Sequence, residues 1–154
     1  MKEGERISLL IETLYEKEQW ARVQKLVKKE LKNNPNDTWY LGILSSTYYE
    51  QKKYIKALAI IKKAIRLTPE EPLLMWHYAG TLYGLGKAKN AINIYKKILK
   101  KSIRQIAFID TTEGISWAKS LINDCRYRIG LCYRDLGKRE IALRWIKLHL
   151  KKRN

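Results

Sequence analysis

The sequence predicts an all-α fold, a right-handed α-solenoid of about four helix-turn-helix units. Three observations carry that prediction. First, residues recur at a fixed step of 34: Pro35 and Pro69, Ala57 and Ala91, and Tyr15, Tyr49 and Tyr83. The pairs Lys28-Lys29, Lys62-Lys63 and Lys96-Lys97 keep the same step. Second, apolar and small residues fall at matching places within each period. Third, the composition is that of a folded chain: 154 residues, 45% hydrophobic and 31% charged, with 8 Gly and 3 Pro. Those values exclude disordered, collagen-like and low-complexity chains. A fixed period in this range is the mark of repeat architectures. One helix pair cannot bury its own apolar face, so the pairs must stack into one core.

The elements follow in order. The repeats fall at about 4–37, 38–71, 72–105 and 123–154, in a single domain spanning 1–154, with residues 106–122 inserted. The first repeat, counted from Gly4, offers Ile7, Leu10, Ile11, Leu14, Val23, Val27 and Pro35, with Glu30 where a small residue is expected. The second, from Thr38, offers Leu41, Leu44, Ser45, Tyr48, Ala57, Ile61, Ala64 and Pro69. The third, from Pro72, offers Met75, Tyr78, Ala79, Leu82, Gly86, Ala91 and Tyr95. The fourth, from Asn123, offers Ile129, Gly130, Tyr133, Gly137, Ala142 and Ile146. From Pro72 to Asn123 is 51 residues, one period plus 17. Asp110-Thr111-Thr112-Glu113 reads as an N-cap with an acidic partner three residues on. The 17-residue insertion is therefore expected to lengthen the first helix of the last repeat, to 113–136, behind a loop over 103–109. Eight helices are expected, at about 5–17, 19–32, 37–51, 53–66, 71–84, 87–102, 113–136 and 138–151.

These positions resemble the tetratricopeptide-repeat family, whose pattern runs Trp-x2-Leu-Gly-x2-Tyr, then Ala-x3-Phe, then Pro. The resemblance covers nearly the whole chain, and Ile129-Gly130-x2-Tyr133 is its best first-helix signature. It implies a non-catalytic protein-interaction module, an adaptor, scaffold or chaperone, with the first helices lining a concave groove. Small stand-alone bacterial members include chaperones for secreted substrates. The resemblance places Tyr15, Trp39, Tyr49, Trp76, Tyr83, Tyr127 and Arg134 in that groove. The expected partner is a peptide or helix of another protein, since tyrosine and tryptophan supply rigid contact area with a polar tip. The implied groove positions hold six carboxylates, Glu5, Glu12, Glu16, Glu50, Asp124 and Asp135, so the groove is expected to be aromatic and mildly acidic. A second register of the third repeat is open: Trp76-x2-Ala79-Gly80-x2-Tyr83 also fits the first-helix pattern, and would make Trp76 and Tyr83 core. Some family members clamp a partner's C-terminal carboxylate with Lys, Asn and Arg. Ser8, Glu12, Ile43, Leu73 and His77 stand at those positions in one frame, and Gly42, Ser46, His77, Asp124 and Arg128 in the next, so neither frame makes a clamp.

Lys+Arg 32 against Asp+Glu 15 gives a net charge of +17. The excess lies outside the groove positions. Residues 51–109 hold 13 basic residues against Glu70 and Glu71 alone. Lys28, Lys29, Lys62, Lys63, Lys96, Lys97 and Lys147 fall on second helices and are expected to form a convex basic stripe. That stripe supports an alternative role in polyanion binding, to nucleic acid or an acidic protein. Few aromatic residues accompany it, so base stacking is not indicated.

Enzymatic readings fail on inventory. His77 and His149 are far apart in the repeat frame, Ser45-Ser46 lacks a base, and the glycines follow no strand. No metal-ligand spacing and no cofactor motif occurs. Cys125 and Cys132 lie seven apart on one helix, about 10 Å along its axis, too far for a disulfide. The charged residues among the first 20 leave no signal-peptide stretch, and no apolar run spans a bilayer, so a cytoplasmic location is expected. Ile141, Leu143, Trp145, Ile146, Leu148 and Leu150 on the last helix exceed what one partner helix covers, which points to self-association there.

Overall fold

Residues 3–108 and 114–153 are described by a computed structural model. Among them are nine α-helices: α1 (Glu3–Glu16), α2 (Trp20–Asn33), α3 (Thr38–Glu50), α4 (Tyr54–Leu67), α5 (Pro72–Gly84), α6 (Ala88–Leu99), α7 (Ile103–Phe108), α8 (Gly114–Asp135) and α9 (Arg139–Lys151). Asp37 caps α3 by accepting from the Tyr40 amide. Glu71 caps α5 through the amides of Leu73 and Leu74, with Pro72 in the first turn where it costs no hydrogen bond.

The turns inside the four helix pairs are built alike. The amides of Glu18, Lys52, Gly86 and Gly137 donate to the carbonyls of Tyr15, Tyr49, Tyr83 and Arg134. The next amides, of Gln19, Lys53, Lys87 and Lys138, reach back to Leu14, Tyr48, Leu82 and Tyr133. This pair of bonds is the Schellman motif, which needs a left-handed residue just past the helix end. That residue has φ of 53° at Glu18, 58° at Lys52, 76° at Gly86 and 75° at Gly137. Glycine adopts it freely, whereas Glu18 and Lys52 carry a steric cost.

The chain divides into two compact units, Met1–Leu67 and Thr68–Asn154. In the first, α2 packs on α1 and α3, and α3 on α4. Its core holds Ile11, Leu14, Val23, Val27 and Leu44. In the second, α8 packs on α6, α7 and α9, and more sparingly on α5. Val23, Ala57 and Ala91 are fully buried at one repeat position, and Val27, Ile61 and Tyr95 one turn later. Met75, Ala79 and Leu82 are buried while Trp76 and Tyr83 keep exposed surface. A Cβ on Gly130 would lie 2.7 Å from Ile146 Cδ1 and 3.4 Å from the Ala142 carbonyl oxygen, so α8 and α9 meet where only glycine fits without a shift.

The expected loop over 103–109 is corrected: its residues 103–108 form α7. The reason is a reciprocal cap. The Gln105 amide donates to Ser102 Oγ at 3.1 Å, and the Ser102 amide to Gln105 Oε1 at 2.8 Å. Ile106 and Ala107 are fully buried, which ties the short helix down. The expected cap Asp110-Thr111-Thr112-Glu113 lies outside the described residues. From Gly114, α8 runs over 22 residues.

Candidate functional site

In the first unit the aromatic residues of the first helices pack against the start of their own second helices. Tyr15 meets Trp20 edge-on at 4.8 Å between centroids, and Tyr49 meets Tyr54 in the same way at 5.5 Å. The two pairs are one repeat apart, so they are one device used twice. Burial raises the Tyr15 phenol above its ordinary pKa; a hydrogen bond with Ser46 opposes the rise, and Glu50 and Tyr49 add to it. Those contacts bring Tyr15 to the α3 face that carries Tyr49. Trp39 stands 45% exposed, its ring edge-on to Tyr40 at 4.9 Å. Glu12, Glu16 and Glu50 are exposed.

In the second unit the device changes. The third repeat has Ala88 where the first two have Trp20 and Tyr54. Tyr83 therefore has no aromatic partner at that place, and its hydroxyl donates to Asp135 Oδ2 on α8. Asp135 Oδ1 accepts from Arg134 Nε at 2.8 Å. Burial and the Asp135 carboxylate push the Tyr83 phenol up to about 12. The bonds from Tyr83 and Arg134 hold the Asp135 carboxyl below its ordinary range.

Two turns back along α5 and three along α8, a parallel arrangement forms. Asp124 Oδ2 accepts from Trp76 Nε1 at 2.6 Å and from Arg128 Nε at 2.6 Å. The Arg128 guanidinium lies 4.3 Å from the Trp76 ring centroid, a stacked cation–π contact. His77 is edge-on to Trp76 at 5.1 Å. Burial pushes its imidazole down to about 4, and the charge of Arg128 adds to the shift. Both Asp124 and Asp135 are thus paired with arginine, so the carboxylates expected in the groove are partly neutralised in this unit. The Tyr127 ring lies 5.2 Å from that of His149 on α9. Arg134 is exposed and bound to its neighbour Asp135.

The expected basic stripe is also placed. Lys28, Lys29, Lys62, Lys96, Lys97 and Lys147 are exposed, and Lys63 is half-buried. Lys63 Nζ donates to the Pro35 carbonyl. Lys96 bonds the Tyr133 hydroxyl at 3.0 Å and lies over its ring. Lys28 and Lys56 both approach the Tyr48 ring, at 5.7 and 5.8 Å from its centroid.

Other chemistry-bearing residues have structural roles. Ser45 Oγ donates to the Ala57 carbonyl and Ser46 Oγ to that of Ile43. Cys125 and Cys132 are free thiols, fully buried, and burial raises both, Cys132 to about 11. His149 Nδ1 is 3.0 Å from the Asn123 carbonyl oxygen. No group of three metal-ligating side chains occurs among the described residues. No helix among them is long and apolar enough to cross a membrane. On α9, Ile141, Leu143, Leu148 and Leu150 are exposed.

The comparisons with known proteins come down on the fold. The tetratricopeptide-repeat sequence pattern matches residues 40–71. No curated protein matches the chain. Among solved structures, MamA RS-1 ArsTM double mutant superposes with a TM-score of 0.69 at 13% identity, over 97% of this chain and 75% of its own. MamA MSR-1 C2 does so with 0.62 at 19%, over 90% and 70%. MamA AMB-1 C2221 gives 0.61 at 20%, over 92% and 74%. At such identities the likeness concerns the fold alone. Residues 40–71 are a tetratricopeptide repeat, and the chain has the helical-repeat fold of tetratricopeptide-repeat proteins.

Proposed function

We propose that this chain is a non-catalytic protein-interaction module that captures a peptide or helix on the aromatic faces of its first helices. The observation that carries the reading is Trp39, a tryptophan 45% exposed on α3. It lies on the helix whose Tyr49 is held by Tyr54. A large, rigid and exposed aromatic residue on a supported helix is what peptide recognition uses. In the second unit Trp76 and Tyr83 are fixed by Asp124, Arg128 and Asp135, so they are preorganised and lose little freedom on binding.

The test is selection of peptides from a displayed library on the intact chain, followed by fluorescence anisotropy with variants. Trp39→Ala with Tyr49→Ala should weaken the selected peptide at least about tenfold, the loss of one interface anchor. Binding unchanged in that variant would reject the reading.

The alternative is polyanion binding by the second-helix lysines. It is favoured by the exposure of Lys62, Lys96, Lys97 and Lys147, none of which forms an ion pair among the described residues. Changing Lys62, Lys63, Lys96 and Lys97 to Glu separates the two readings, because it should abolish DNA binding and spare the selected peptide. The exposed leucines of α9 are our proposed surface for self-association, checked by sedimentation of Leu143→Ser with Leu150→Ser.

A further inference from the structure

The first helix pair carries an apolar cleft that the aromatic faces do not use. It encloses about 700 Å³ between α1 and α2. Its floor is Leu10, Leu14 and Leu26. Leu10 is 48% exposed, whereas Leu44 and Ile129, at the same position of the second and fourth repeats, are 6% and 0% exposed. Leu44 is covered by core residues of α1 and α2, so a residue at this position is shaped to be closed over by another helix pair.

The rim is cationic. Arg22, Lys25, Lys29 and Lys32 line one side of the cleft at helical steps of three, four and three. They form a single ridge along α2, with Leu26 between them. All four are exposed, and none forms an ion pair among the described residues. Arg22 Nη1 donates to Gln19 Oε1 at 2.7 Å. Lys28 also lines the cleft.

An apolar floor beside an unpaired cationic ridge complements one kind of surface: apolar side chains along a stripe, with carboxylates on its flank. A helix presents that pattern at i, i+3, i+4 and i+7. A flat anionic membrane would meet the lysines but would not enter a cleft between helices. We propose that the α1–α2 cleft docks an acidic amphipathic helix of a partner protein, whose leucine-like residues enter over Leu10 while its carboxylates pair with Arg22, Lys25, Lys29 and Lys32. The site shares no residue with the first-helix aromatic set, so either proposal can fail without the other.

The test uses the full chain and a fluorescent peptide with leucines at i, i+3, i+4 and i+7 and glutamates elsewhere, read by anisotropy. The expected result is saturable binding that weakens at least about tenfold in Leu10→Ser and, separately, in Lys25→Glu with Lys29→Glu. Leu10→Met should restore it. A scrambled peptide of the same composition should bind at least about tenfold more weakly. All of these positions are exposed, and thermal melting of each variant confirms that it folds. Four results would overturn the proposal: no binding; equal binding of the scrambled peptide or of DNA with no effect of Leu10→Ser; binding to anionic phospholipid vesicles but not to the peptide; or a concentration-dependent dimer that Leu10→Ser abolishes, which would make the occupant a second copy.

Discussion

The two units solve the same local problem with different chemistry. In residues 1–67 the tyrosine at the end of each first helix rests on an aromatic residue five positions later, Trp20 or Tyr54. In residues 68–154 the equivalent Tyr83 has Ala88 there and bonds instead to Asp135, which Arg134 completes. Trp76, Asp124 and Arg128 repeat the theme. The first unit thus relies mainly on edge-on aromatic contact, and the second on charge-assisted hydrogen bonds between helices far apart in sequence. The lesson is that one repeat scaffold tolerates either device, and that the polar one brings sensitivity to pH and to single-atom changes.

The largest contrast should appear on acidification. His77 has an ordinary pKa of 6.5 and is held near 4 in the folded chain, so the unfolded chain binds its proton first. Its contribution is complete above about pH 6.5 and is lost as pH falls toward about 4, by up to about 3 kcal/mol. The Asp135 carboxyl, held low, loses its own contribution at still lower pH. His77 lies in the second unit, so amide protection factors, which correct for the slower intrinsic exchange at low pH, should fall there and stay flat in α2, α3 and α4 between pH 7 and 5. An equal fall in both units would break the comparison, as would an unchanged profile in His77→Gln.

Next in size, Trp76→Ala should cost about 2 kcal/mol in urea unfolding, because it removes the stacked surface and leaves Asp124 short of a donor. Trp76→Phe keeps the stacking and should recover about half of that. Gly130→Ala should cost about 1–2 kcal/mol through contact with Ile146 and the Ala142 carbonyl. The smallest effect has the opposite sign. Lys52 holds a left-handed conformation that Gly86 adopts in the next repeat, so Lys52→Gly should stabilise the chain by about 0.5 kcal/mol. Thermal melting checks its sign.

The repeat frame was legible because packing repeats: Val23, Ala57 and Ala91 are equivalent in sequence and equally buried. Turns at Gly86 and Gly137 announce themselves by residue type, whereas Glu18 and Lys52 take the same conformation without a glycine to signal it. Helix α7 was missed because six residues show no period. Its only signal is the capping pair Ser102 and Gln105, which lies outside the repeat phase. The candidate site was legible by position and not by chemistry. The four-residue spacing of Asp124 and Arg128 marks an ion pair in advance. The third member, Trp76, stands 48 residues away from Asp124, and only the approach of α5 to α8 brings it in. Tyr127 was assigned by repeat position alone, and its ring lies against His149 on α9.

The most direct measurement uses the five tryptophans. Each indole N–H gives its own signal in a nitrogen–proton correlation spectrum of the intact chain. The spectrum would be recorded during titration with a library-selected peptide. The account predicts that the signals of Trp39 and Trp76, on first helices, shift progressively, while those of Trp117 and Trp145 stay in place. Shifts confined to Trp117 or Trp145, with Trp39 unmoved at saturation, would contradict it.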